Sequence, residues 1–143
     1  MRTNKRTFPA VELVPENLLE PLDLDELFGR SAPVEVDLGC GDGTFLAALA
    51  EQDPERNFLG VERSPGRIRG ACRKIGDRRL PNARVLRSGI LEALEQLLPP
   101  SSVEVCHLLF PDPWPKRRHH NRRIVTEKFL RAVVGILVPG GRL

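Results

Sequence analysis

No stretch of this 143-residue chain stays apolar for the roughly 20 residues that a membrane-crossing helix needs. The opening MRTNKRTFPAVELVPENLL has no continuous apolar core, so it does not read as a secretory signal. Cysteine is scarce. Cys40, Cys72 and Cys106 cannot all pair and are not spaced like metal ligands, which argues against a disulfide scaffold and gives no reason to expect a metal. The same scarcity favours a reducing compartment, here the cytoplasm. Repeats and low-complexity tracts are missing too. What is present, 41% hydrophobic and 29% charged residues, is the make-up of one folded domain large enough to bury a core without covalent support.

Charge is uneven. The net is only +3, yet the isoelectric point is about 9.1. Acids dominate from Glu12 to Glu26, whereas basic residues gather in ERSPGRIRGACRKIGDRR and again in KRRHHNRR. Arginine far outnumbers lysine. A phosphate-bearing partner explains that bias through bidentate recognition, and a GC-rich genome explains it equally well.

Hydrophobic periodicity orders the chain. Residues 1–32 read as an N-terminal extension with one short helix in PLDLDELFGR, and residues 33–143 as a single domain. Strands are expected at Val34–Cys40, Phe58–Glu62, Ala83–Ser88 and Ser102–Phe110. Helices are expected at Gly43–Gln52, Pro65–Gly76, Ile90–Leu98 and Val125–Leu137, the last stopped by Pro139-Gly140-Gly141. Strand and helix thus alternate four times, which predicts a doubly wound parallel sheet with helices on both faces. Gly141-Arg142-Leu143 looks like the entrance to a further strand, so the sheet is expected to be incomplete after the fourth strand–helix unit. An open edge of that kind invites a second copy or a completing partner.

In such a sheet, ligands bind outside the carboxyl ends of the strands. Asp37, Glu62, Ser88 and Asp112 fall at the four ends. Singly, each acid is better explained as a helix cap or a solvated loop residue; three at one edge shift the balance toward function. The first turn, DLGCGDGTF, carries Gly39, Gly41 and Gly43, which let the backbone turn sharply against a ligand. The dinucleotide pattern G-x-G-x-x-G fails at Thr44, whereas an acid followed by G-x-G-x-G resembles the motif seen in S-adenosylmethionine-dependent methyltransferases. A tight turn with no ligand is the plainer alternative. Glu62 stands about 20 residues on, where an acid accepts bonds from ribose hydroxyls. Asp112 lies between two prolines, and both Phe110 and Asp112 precede one, so this corner is expected to be extended and stiff. Lys116, Arg117, Arg118, Arg122 and Arg123, with His119 and His120 among them, start four residues later; such a run is usually a solvated face, but at this edge it suits a phosphate-bearing substrate. Trp114 either stacks on a base or covers the corner. The other basic cluster, Arg67, Arg69, Arg73, Lys74, Arg78 and Arg79, extends the same field or is the outside of an ordinary helix, and the latter is the favoured reading. His107 reads as a satisfied core residue.

FPDPWPKRRHHNRRI, VDLGCGDG and FLGVERS, in this order and spacing, resemble the tRNA (guanine-N7)-methyltransferases. The likeness covers Val34 to Leu143. It implies a Rossmann-like class I fold that uses S-adenosylmethionine and acts on tRNA, with no metal and no membrane. By that resemblance Asp37, Gly39, Gly41, Gly43, Glu62, Arg63, Ser88 and Gly89 hold the cofactor and Asp112 is catalytic. Trp114, Lys116, Arg118, His119, Arg122 and Arg123 meet the tRNA. Two departures stand out. Gly89, after Ser88, occupies the place of an Asn or Asp beside the adenine. Members also continue past residue 143, so a chain truncated at its C-terminus is expected. A non-catalytic RNA-binding remnant and a nucleotide-dependent oxidoreductase are the rival readings.

Overall fold

The computed structural model of the chain describes residues 11–17, 19–109 and 124–143. Among the described residues six strands form one sheet in the order β1-β4-β3-β2-β5-β6, and each of these pairings is parallel. They are β1 (Glu12–Leu13), β2 (Val34–Leu38), β3 (Asn57–Glu62), β4 (Ala83–Arg87), β5 (Val103–His107) and β6 (Leu137–Arg142). The helices are α1 (Leu24–Phe28), α2 (Thr44–Gln52), α3 (Pro65–Asp77), α4 (Ile90–Glu92, continued as a π turn over Ala93–Leu97) and α5 (Glu127–Ile136). None of them is long and apolar enough to cross a membrane among the described residues.

The layers follow from which residues each element can bury. β3, at the middle of the sheet, is buried at all six positions, as a strand covered on both faces must be. One face packs Leu46 and Ala50 of α2 and Ile68, Ala71 and Ile75 of α3 on Phe58, Ala83 and Val85. The other packs Leu24 and Phe28 of α1, Ala93, Leu94 and Leu97, and Phe129, Val133 and Ile136 of α5 on Val36, Leu38 and Leu59. The doubly wound sheet expected from the alternation is therefore what forms. β2, β3 and β4 run outward in one direction, and the chain then returns to lay β5 on the other side of β2. That reversal places a switch point between β2 and β5, the crevice where such sheets take ligands.

Local signals set the helix ends. Asp23 caps α1 by accepting the Glu26 N–H at 3.1 Å, and Gly29 ends it at φ +70°. Thr126 Oγ1 accepts the Phe129 N–H at 3.1 Å at the start of α5. Parts of the N-terminal segment also meet the sheet: Glu12 and Leu13 pair with Val85 and Leu86, and the Phe28 ring lies 5.6 Å from the buried Arg84 guanidinium.

One expectation is corrected. Pro139-Gly140-Gly141 does not stop a helix running to Leu137. The helix ends at Ile136, and Leu137–Arg142 is already a strand alongside β5. The register jumps from Val103↔Leu137 to Val105↔Arg142, so β6 bulges there, with Gly140 at φ +81°. Proline and a left-handed glycine are tolerated in a strand at such a bulge. Gly141 and Arg142, read as the mouth of a further strand, already belong to β6.

Candidate functional site

The carboxyl ends of β4, β3, β2 and β5 lie side by side, so residues far apart in sequence form one rim. β2 delivers Asp37 with Gly60 of β3 on one side and His107 of β5 on the other. The chain then turns through Gly39, Gly41 and Gly43, all left-handed at φ +71°, +58° and +79°. Two bonds to β3 pin the turn, Gly39 N–H and Cys40 N–H to the Val61 carbonyl at 2.8 and 3.0 Å. Gly43 has a second reason to lack a side chain: a Cβ there would stand 2.6 Å from Ala71 Cβ, so α2 and α3 close on each other only over glycine. At Gly41 a Cβ would meet nothing within 4 Å, which leaves that backbone open to a ligand.

Glu62 organises the rim. Its Oε1 accepts the Gly41 N–H at 3.1 Å, and its Oε2 accepts the N–H groups of Arg63 and Ser64, each at 2.8 Å. The carboxylate therefore ties the glycine turn to the start of α3. It has about four acceptor positions, so three amide bonds leave room for one more donor. Arg63 takes part through its backbone N–H; its side chain is exposed. The next strand end supplies Ser88, whose N–H donates to the Glu62 carbonyl at 3.1 Å and whose hydroxyl donates to the Gly89 carbonyl at 2.8 Å. Gly89 opens α4.

Asp37 differs in kind. It is 3% exposed. No hydrogen bond reaches its carboxylate among the described residues. Burial pushes its pKa up to about 6, against a smaller downward pull from His107. A buried carboxylate with no donor among the described residues suits a ligand that brings cationic or N–H groups. His107 is held away from chemistry: its Nε2 lies 2.8 Å from Glu35 Oε1, and its ring meets Phe45 edge-on at 5.4 Å. Cys40 is no nucleophile, since burial and then the Asp37 and Glu62 charges raise its thiol well above the ordinary range.

The structure thus brings together Asp37, Gly39, Gly41, Gly43, Glu62, Arg63, Ser88 and Gly89. Asp112, Trp114, Lys116, Arg118, His119, Arg122 and Arg123 lie outside the described residues. Reading by motif missed a clamp below the turn. Asp42 Oδ1 accepts from Thr44 N and Thr44 Oγ1 at 3.1 and 2.8 Å, and Lys74 reaches back from α3 to Asp42 Oδ2 at 3.2 Å and to its carbonyl at 2.8 Å. These bonds, from Thr44 first, hold the Asp42 carboxyl below its usual range. Thr44, the residue that breaks the dinucleotide pattern, serves this clamp. The available signal was an Asp two residues before a Thr at a helix start. Two clefts, of about 560 and 660 Å³, lie elsewhere, around Pro21–Asp25 with Ser102 and around Glu12–Leu27. They hold none of the glycine-turn residues, so the site is identified by its groups rather than by cavity size. Among the described residues no cluster of His, Cys, Asp or Glu is arranged to hold a metal ion.

Comparison with known proteins agrees with this arrangement. A family model described as "Putative methyltransferase" matches residues 31–143. A protein of Alkalilimnicola ehrlichii named tRNA (guanine-N(7)-)-methyltransferase is 41% identical over 136 residues, covering 95% of this chain and 57% of that protein. One of the same name from Leifsonia xyli subsp. xyli is 48% identical over 125 residues, 85% of this chain and 54% of that protein. The chain spans about half the length of the curated relatives it matches. The 16S rRNA methyltransferase KamB superposes with a TM-score of 0.64 at 24% identity, over 90% of this chain and 60% of that one. A SAM-dependent methyltransferase of Aquifex aeolicus does so with a TM-score of 0.58 at 20% identity, over 80% and 56%. These two likenesses establish the fold. The likeness read from the motifs recurs in the curated relatives.

Proposed function

The chain belongs to the methyltransferase family whose model it matches over residues 31–143, and from that premise we propose that it transfers a methyl group from S-adenosylmethionine to N7 of a guanine in tRNA, in the cytoplasm. The observation that carries the proposal is the convergence of Asp37, three left-handed glycines and Glu62 at the ends of two adjacent strands. The names of the curated relatives support the choice of tRNA and of the guanine atom.

The donor set fits the cofactor: a buried carboxylate without a hydrogen bond among the described residues, an open backbone at Gly41, and a second carboxylate with one acceptor position to spare. Asp37 and the glycine turn would hold the methionine and adenosine parts, and Glu62 the ribose. When bound, S-adenosylmethionine supplies a methyl carbon activated by a sulfonium. Guanine N7 has a free lone pair, so no side chain has to remove a proton. What the chain contributes is alignment and charge. Asp112, with Pro111 and Pro113 as chain neighbours, would place a negative group beside the purine as it becomes positive. Lys116 and the arginines up to Arg123 draw the phosphates to it.

Incubated with unmodified tRNA and a methyl-labelled donor, the protein is expected to label guanine N7. Asp112→Ala is expected to keep donor affinity within a few fold while turnover falls about 10²-fold, a common cost of removing one preorganised electrostatic group. Donor binding without any label in tRNA would defeat the proposal and leave a non-catalytic RNA-binding protein. Full turnover in the variant would remove Asp112 from the mechanism.

A further inference from the structure

The basic helix α3 has an outer face that packing does not explain. From Arg63 to Arg79 the chain carries seven cations against one acid, Asp77, whereas the whole chain is only +3. The remainder is therefore net acidic, and four of these seven cations, Arg67, Arg69, Arg73 and Lys74, stand on α3 itself. Ile68, Ala71 and Ile75 point into the core. Helical periodicity then sorts the cations into two rows. Arg67, Lys74 and Arg78 lie toward α2, where Lys74 meets Asp42 at 3.2 Å and Arg78 meets Glu51 at 3.4 Å. Arg69 and Arg73, one turn apart, form the other row. Both are exposed, and neither has an ion-pair partner among the described residues.

Between the rows run Gly66 and Gly70. Glycine inside a helix costs about 1 kcal/mol relative to alanine. Packing does not demand it here: a Cβ at Gly66 would meet only Arg69 Nη2 at 3.7 Å, and one at Gly70 only Asp42 at 3.7 Å, both ordinary contacts. The two glycines leave a trough between the rows, bordered at Gly70 by Asp42, whose charge Lys74 offsets, and its open end at Gly66 suits the close approach of phosphates to the helix backbone. The position agrees, because α3 starts directly after Glu62 and Ser64, so the trough begins at the cofactor rim and leads away from it.

We propose that the α3 trough, flanked by Arg69 and Arg73 on one side and by Arg67 on the other, is a second docking surface for the tRNA phosphate backbone. It would be separate from the Lys116–Arg123 tract. The inference rests on tRNA being the substrate. Arginine forks pair bidentately with phosphate, and each phosphate neutralised adds salt dependence to binding.

The test measures binding of unmodified tRNA by fluorescence anisotropy across a salt series, for the unchanged protein, Arg69→Glu/Arg73→Glu and Arg69→Gln/Arg73→Gln. S-adenosylhomocysteine binding is titrated on the same samples. Charge reversal is expected to weaken tRNA binding about tenfold or more at about 100 mM salt, with the glutamine pair in between. The glutamine pair is also expected to lower the slope of log affinity against log salt by about 1.4–1.8, the value for two lost phosphate contacts. S-adenosylhomocysteine affinity should stay within about twofold. If the unchanged protein binds tRNA and both double variants bind it equally well with the same slope, the docking surface is wrong and the proposed function stands. If the unchanged protein binds S-adenosylhomocysteine but no tRNA, both fall. Loss of binding to phosphatidylserine vesicles with tRNA binding intact would overturn the surface in favour of a lipid headgroup.

Discussion

At pH 7.5 the unliganded Asp37→Asn protein is expected to unfold in urea with a free energy about 2–3 kcal/mol above that of the unchanged chain. The carboxyl is 3% exposed, and burial raises its pKa from 3.8 to about 6. The folded state therefore binds this proton more tightly than the unfolded state does. Its contribution to stability is complete below about pH 4, falls as pH rises, and is gone above about pH 6. At neutral pH the fold bears the cost of an ionised, poorly solvated group, and asparagine keeps the shape without the charge. The price is binding. A charge-assisted hydrogen bond contributes about 1.5–3 kcal/mol, so affinity for S-adenosylmethionine is expected to fall about 10–10²-fold. In the unchanged chain that affinity should also weaken as pH drops through 6, where Asp37 takes up its proton. A variant that is no more stable and binds the donor equally well would show that Asp37 neither strains the fold nor touches the ligand.

Glu62→Gln is expected to do the opposite to stability. Three backbone N–H groups converge on this carboxylate, from Gly41, Arg63 and Ser64. The glutamine side chain offers one oxygen and one NH2, so whichever way it turns, a donor faces a donor. Losing at least one charge-assisted bond and opposing another should cost about 2–4 kcal/mol of stability. The turn and the start of α3 would loosen together. Affinity for S-adenosylmethionine is expected to fall about 10²-fold or more, because the ribose acceptor and the shape of the glycine turn are lost at once. Amide hydrogen exchange checks the cause: protection at Gly41, Arg63 and Ser64 should drop more than at Leu59 in the same sheet. Equal loss everywhere would mean global destabilisation with no special role for the cradle. The two carboxylates stand on neighbouring strands and answer oppositely because one accepts three amide donors and the other is buried without a hydrogen bond among the described residues.

Much of this was legible from local pattern. Strand and helix periods, the glycine spacing and the acid about 20 residues later are each encoded within short windows, since backbone preference and one-sided burial act over a few residues. Those signals located the sheet, the turn and Glu62. They misjudged Pro139-Gly140-Gly141, because the same residues that end a helix also make a bulge, and pairing with β5 decides which occurs.

The chain by itself determined that a parallel α/β layer forms, that left-handed glycines follow Asp37, and that cations cluster on α3. Tertiary structure alone decided that Glu62 spends its carboxylate bracing the turn, that Asp37 lies beside His107 with its charge strained, and that Lys74 rather than Arg69 or Arg73 finds an acid. Each of these depends on the distance between groups 20 to 70 residues apart. Sequence spacing does not contain such distances. They arise when β2 is laid between β3 and β5, and only then does burial set the cost of one carboxylate and hydrogen bonding the benefit of the other.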